Sequence, residues 1–172
     1  QKSVVNIGTS LTIGTDVDFN ILKECIYEAY GRCESMRLRF AKDKDGTWYQ
    51  YVVDKEERDI EYVNFYGKPM EEAEAVLTSW TQVPFKRQDS PMNRVVMVTM
   101  PDGYNGIYFL ADHTTMDAQS LIGFLRDIIE IYCHRIFPEE VPYPKEMASY
   151  LEQLEKDLAY EAGTNAAQKD RE

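Results

Sequence analysis

The segment that most constrains this chain is "GIYFLADHTTMDAQSLIGFLRDIIEIY", residues 106–132, in which an alternating apolar run passes through a short polar turn into an amphipathic helix pattern. Alternation across a strand puts Ile107, Phe109, Ala111 and His113 on one face and Tyr108, Leu110 and Asp112 on the other. From Asp117 the apolar residues Leu121, Phe124, Leu125, Ile128, Ile129 and Tyr132 form a broad helical stripe to about Arg135. A strand and a helix joined this tightly must pack on each other, so the chain is a layered α and β structure. One of the chain's two histidines stands at the junction, where a neutral imidazole can accept a proton. An isolated histidine is more often a partly buried one satisfied by backbone groups, and His-x-x-x-Asp is by itself a weak pattern.

The remaining patterns supply the other layers. "VVNIGTSLTIGTDVD" alternates near period two through Val5, Ile7, Leu11 and Ile13, with Gly8 and Gly14 as bulge candidates. Asp18 then caps a helix bearing Phe19, Leu22, Ile26 and Tyr30 on one face. "SMRLRFAKDKDGTWYQYVVD" reads as a hairpin, with Met36-Leu38-Phe40 and Trp48 to Val53 joined across Asp45-Gly46. "DIEYVNF" is a short strand, and a helix over 70–81 follows Pro69. "NRVVMVTMPDGYNGIYFLAD" is a second hairpin that delivers the chain to His113. After the turn-rich "FPEEVPYP" a last helix is expected from about Lys145 to Tyr160, and residues 161–172 read as a frayed or disordered tail. The fold class is therefore α+β, a mixed and mainly antiparallel sheet flanked by helices.

Charge narrows the function classes. The 30 acidic and 19 basic residues leave a net charge of -11, with no basic run, which argues against nucleic acid and anionic membrane surfaces as partners. Apolar runs fall well short of the roughly 18 residues of a membrane span. Cys25, Cys33 and Cys133 are odd in number, lie in no motif and read as reduced core thiols of a cytoplasmic protein. With His113 and His134 as the only imidazoles, no metal site is expected. The chain opens at Gln1 in sheet-like sequence, so it is expected to be part of a longer polypeptide.

The motif "DHTTMDAQS", with a strand before it, a helix after it and "SMRLRF" upstream, resembles the His-His-x-x-x-Asp-Gly motif of the chloramphenicol acetyltransferase-like superfamily. Within that superfamily it is most similar to condensation domains of nonribosomal peptide synthetases. The likeness covers nearly the whole chain in order and implies one lobe, the N-terminal one, of a two-lobed fold around a tunnel, with residues 1–160 as the lobe. It implies acyl transfer from a phosphopantetheine or coenzyme A thioester, used as substrate rather than as a tightly bound cofactor, to an amine or hydroxyl. His113 falls on the second histidine, the general base or positioning group. Asp117 falls on the structural aspartate, for which the resemblance implies an arginine partner, best matched by Arg37. Asp112 replaces the first, supporting histidine, and Ala118 the glycine. Implied partners are a C-terminal lobe of the same fold and a carrier protein, with self-association through an apolar surface near His113. A non-catalytic condensation-like module that binds a carrier or partner also fits these departures, as does an unrelated α/β binding domain if the ordered match is set aside.

Overall fold

The computed structural model describes residues 6–161; Val5 and the expected tail after Glu161 lie outside the described residues. Strand β1 (Asn6–Gly14) leads to helix α1 (Phe19–Arg32), a 3-10 turn (Glu34–Arg37), β2 (Leu38–Lys42) and β3 (Trp48–Val52). The chain continues through β4 (Glu61–Asn64), α2 (Met70–Thr81), β5 (Asn93–Thr99), β6 (Asn105–Asp112), α3 (Ala118–Ile136) and α4 (Tyr150–Glu161). Four strands form one sheet in the order β1-β6-β5-β4, and β2 and β3 form a separate hairpin. β6 runs antiparallel to both neighbours, and the parallel β4–β5 pair is bridged by α2 as its crossover helix.

The two faces of β6 separate as its alternation requires. Ile107, Phe109 and Ala111 pack with Leu22, Ile26 and Tyr30 of α1 and Phe124, Ile128 and Ile131 of α3. Tyr108 and Leu110 face Ala73 and Leu77 of α2. Because the sheet is covered on both sides, its central strands read as nearly continuous apolar runs. Two glycines make the β1–β6 seam possible. A Cβ at Gly106 would stand 2.0 Å from the Leu11 carbonyl oxygen, and one at Gly8 would stand 2.2 Å from the Tyr108 hydroxyl. The irregularity in this pair falls between Thr12 and Gly14, while Gly8 keeps regular register with Leu110, so only Gly14 marks a bulge.

Helix ends follow local chemistry. Asp18 accepts hydrogen bonds from the amides of Asn20 and Ile21, which caps α1. The hairpin turn at 43–47 closes on the Asp43 carboxylate, which accepts from the amides of Asp45 and Thr47, with Gly46 at φ 89°. Two boundaries differ from the sequence expectation. Met36 lies in the 3-10 turn rather than in β2, and α4 begins at Tyr150 rather than at Lys145. The carbonyls of Pro144 and Lys145 accept hydrogen bonds from Arg32, so the segment before Ser149 is held against α1 as a non-helical strap. Ser149 then accepts from the Glu152 amide through its hydroxyl, and Glu34 accepts from the Leu151 amide and the Ser149 hydroxyl. The Ser-x-x-Glu pattern at 149–152 is a helix-start signal that the Lys145 expectation passed over.

Beneath the hairpin lies a buried charge network. Glu56 accepts two 2.8 Å hydrogen bonds from Arg39 and one of 2.9 Å from Arg58. Burial pushes the Glu56 carboxyl up, but the hydrogen bonds and charges of Arg58 and Arg39 outweigh it and hold the carboxyl below its ordinary range. A carboxylate with a lowered folded pKa stabilises the fold above its unfolded value of about 4.3, and that contribution is lost as pH falls through the folded value. In urea unfolding, the stability difference between wild type and Glu56→Gln is therefore expected to be full at neutral pH and to close on acidification below about pH 4.

Candidate active site

The site is the turn between β6 and α3. Asp112 ends β6, and its amide donates to the Met92 carbonyl, which ties the strand end to the segment entering β5. Its Oδ1 accepts the Thr114 amide at 2.8 Å and the Thr114 hydroxyl at 2.5 Å. Its carbonyl accepts the Thr115 amide and hydroxyl. Arg87 donates to the Thr114 Oγ1 at 3.3 Å and reaches within 4.0 Å of Asp112 Oδ2. Asp112 thus acts as the lock of the turn through its carboxylate, a chemistry that local Asp residues favour.

Inside this locked turn His113 is exposed and makes no hydrogen bond or ion pair among the described residues. A histidine satisfied by backbone groups, the commoner role, is not what the fold builds. His134 has that role instead, donating from Nδ1 to the Val141 carbonyl and meeting Tyr143 edge-on. On the far side of the turn, Asp117 caps α3, accepting the Ser120 amide at 2.7 Å and the Ser120 hydroxyl at 2.9 Å.

The expected Arg37–Asp117 ion pair does not form. Arg37 is buried at the end of the 3-10 turn and donates to the carbonyls of Val53, Asp54 and Gly31, whereas Asp117 is exposed and engaged with Ser120. Both groups have nearer partners: the arginine closes the return of the hairpin, and the aspartate closes a helix start. The buried pair behind α3 is a different one, unforeseen from the sequence. Asp127, on the inner face of α3, receives Arg32 of α1 through both oxygens, at 2.7 and 3.0 Å. An acid inside an apolar stripe, opposite the one arginine of α1, is the sequence signal for it.

A cleft of about 270 Å3 opens beside the turn, lined by Phe40, Trp48, Arg87, Thr114 and Thr115. Trp48 is half exposed there. Thiol chemistry has no support at this place. Cys25 and Cys33 are buried in the core, and burial pushes the Cys25 thiol up to about 11, which suppresses the nucleophilic thiolate. Among the described residues no helix is long and apolar enough to cross a membrane.

A family model described as Condensation domain matches residues 1–172. A dimodular nonribosomal peptide synthase of Bacillus subtilis (strain 168) is 29% identical over 153 residues, which are 84% of this chain and 6% of that protein. Among solved structures, the starter condensation domain of rhizomide synthetase RzmA superposes with a TM-score of 0.81 at 17% identity, over 96% of this chain and 42% of that one. A variant of the same domain in complex with C8-CoA superposes at 0.80 and 17% identity, over 96% of this chain and 38% of that one. The chain thus spans about two fifths of the solved structures it matches and a small part of its curated relative.

Proposed function

The chain belongs to the condensation-domain family, of the nonribosomal peptide synthetase type with a chloramphenicol acetyltransferase-like fold, and from that premise we propose that residues 1–160 form the N-terminal lobe of an acyltransferase. The lobe works with a C-terminal lobe to carry an acyl group from a pantetheine thioester, on a carrier protein or coenzyme A, to an amine or hydroxyl. The observation that carries this reading is the state of His113: exposed, without a hydrogen-bond or ion-pair partner among the described residues, and presented by a turn in which the side chains of Asp112, Thr114, Thr115 and Asp117 are already bonded. With neither ring nitrogen held by a partner among the described residues, the imidazole can turn a nitrogen toward a substrate proton.

The chemistry asks little else of the lobe. A thioester is already activated, so the protein aligns donor and acceptor and moves one proton from the attacking amine or hydroxyl to the departing pantetheine thiolate, as the C–N or C–O bond forms and the C–S bond breaks. The carboxylate of Asp112 holds the turn rigid, and Asp117 fixes the start of α3, so that the imidazole is presented on a firm support rather than on a mobile loop. The C8-CoA complex of a related domain supports an acyl thioester as the donor class. The test is direct: the complete polypeptide is given an acyl-pantetheine thioester and an amine acceptor, and the products are weighed by mass spectrometry. Amide formation is expected. Thioester binding with no acyl transfer would replace the enzyme reading with that of a carrier-binding module.

A further inference from the structure

We propose that Arg87 is a positioning residue for His113, tying the turn after β6 to the β2–β3 hairpin; this rests on reading His113 as the residue that serves acyl transfer. The segment that carries Arg87 is fastened to both strands of the hairpin. Gln88 forms a parallel bridge with Phe40 of β2, and the Asp89 amide donates to the Phe40 carbonyl at 2.7 Å. The Asp89 carboxylate accepts the Tyr51 hydroxyl of β3 at 2.9 Å. Asp89 is also the one non-glycine residue with a positive φ, 51°, among the described residues. That left-handed conformation costs free energy unless the surroundings hold it, and aspartate tolerates it better than most residues. The two hydrogen bonds to the hairpin hold it here, so the backbone beside Arg87 is set by the hairpin.

From this anchor Arg87 reaches the two neighbours of His113. Its Nη2 donates to the Thr114 Oγ1 at 3.3 Å and lies 4.0 Å from the Asp112 Oδ2. The Thr114 hydroxyl gives its own hydrogen to the Asp112 Oδ1, so a lone pair is what it offers Arg87. Every other side-chain hydrogen bond of residues 112–117 is made within the turn or to Ser120 of α3. Among the described residues Arg87 is therefore the one side chain from a distant segment that hydrogen-bonds the turn. The local bonds set the turn's shape, and Arg87 ties it across the cleft to the hairpin. Its side chain is 60% exposed, and an exposed charged contact shifts an equilibrium by no more than about fivefold, too little to carry the fold. That is enough to bias the time the imidazole spends in place, on which the rate of a general base depends.

The experiment compares the complete protein with Arg87→Met, Arg87→Lys, Thr114→Val and the Arg87→Met/Thr114→Val double variant. Each is measured by steady-state acyl transfer from an acyl-pantetheine thioester to an amine, and by hydrogen exchange of a peptide spanning the turn. Arg87→Met is expected to lower kcat about three- to fivefold with KM and Tm unchanged, and to speed exchange at the Thr114 and Thr115 amides by a similar factor. Arg87→Lys should recover part of both effects. In Thr114→Val the loss of Arg87 should add less than about twofold, because the hydrogen-bond acceptor is already gone. A loss confined to KM, an unchanged kcat, a Lys variant no better than Met, or full additivity with Thr114→Val would each overturn the positioning role. Exchange is read without turnover. A wild-type protein that transfers no acyl group overturns the acyl-transfer reading, while exchange unmoved by Arg87→Met overturns the hold on the turn whatever the activity.

Discussion

Replacing His113 with alanine in the complete protein is expected to lower acyl transfer about 10²–10⁴-fold, the range for loss of a positioned general acid or base. The fold should hardly notice. His113 is exposed and has no partner among the described residues, so its removal strands nothing, and surface substitutions of that kind stay within about 0.5 kcal/mol. The contrast is Asp117→Ala, which removes the cap of α3 and should lower stability by about 1 kcal/mol, with a smaller fall in rate that follows from a looser turn. Thermal melts and steady-state rates on the two variants separate a residue that acts on substrate from one that supports the turn. Unchanged turnover in His113→Ala on a thioester substrate would remove the base assignment.

Glu56→Ala should damage the fold severely, at roughly 3–5 kcal/mol, because it strands two guanidinium groups beneath the hairpin. Arg39 and Glu56 expose less than a tenth of their side chains, and Arg58 little more. Arg39 would keep only the carbonyl of Leu38, and Arg58 the Asn93 side chain and carbonyl and the face of Tyr30. A triple replacement of Arg39, Glu56 and Arg58 by apolar residues of similar size should recover much of the loss, which distinguishes the cost of unpaired charge from the loss of packing. Urea midpoints at neutral pH measure both; a Glu56→Ala midpoint equal to wild type would show that water reaches the network.

The fold was legible wherever one period ran long enough to name both the element and its buried side. The helix expected over 70–81 is α2 to the residue, α3 starts next to Asp117 as expected, and the parity of β6 separates the two cores as read. Periodicity failed where the decisive contact was polar and distant. Ile131 and Asp127 are buried on α3 while Ile129 is only partly so, because the helix turns its acid toward Arg32, and no apolar pattern records that pull. The late start of α4 has the same origin, since Arg32 occupies the carbonyls of the strap. At the site, the position of His113 at the strand end was visible in the sequence, whereas the cap of α3 is Asp117 and not the hydroxyls of Thr114 and Thr115, which bond Asp112. The partner of Arg37 was not visible: it was implied by likeness to a motif, whereas the backbone carbonyls that hold it carry no residue identity at all.

The strap between α3 and α4 also decides how the molecule bears load. A pull on the chain beyond Glu161 runs along α4 and meets, at the Ser149 end, the Glu34 carboxylate and then the Arg32 fork. Both anchors belong to the region where α1 ends, and Arg32 is itself pinned to α3 through Asp127. The strap thus fastens α4 to both helices of the α1–α3 layer, through Glu34 and Arg32 on one side and Asp127 on the other, so the C-terminal helix is held against the layer that α3 shares with the His113 turn.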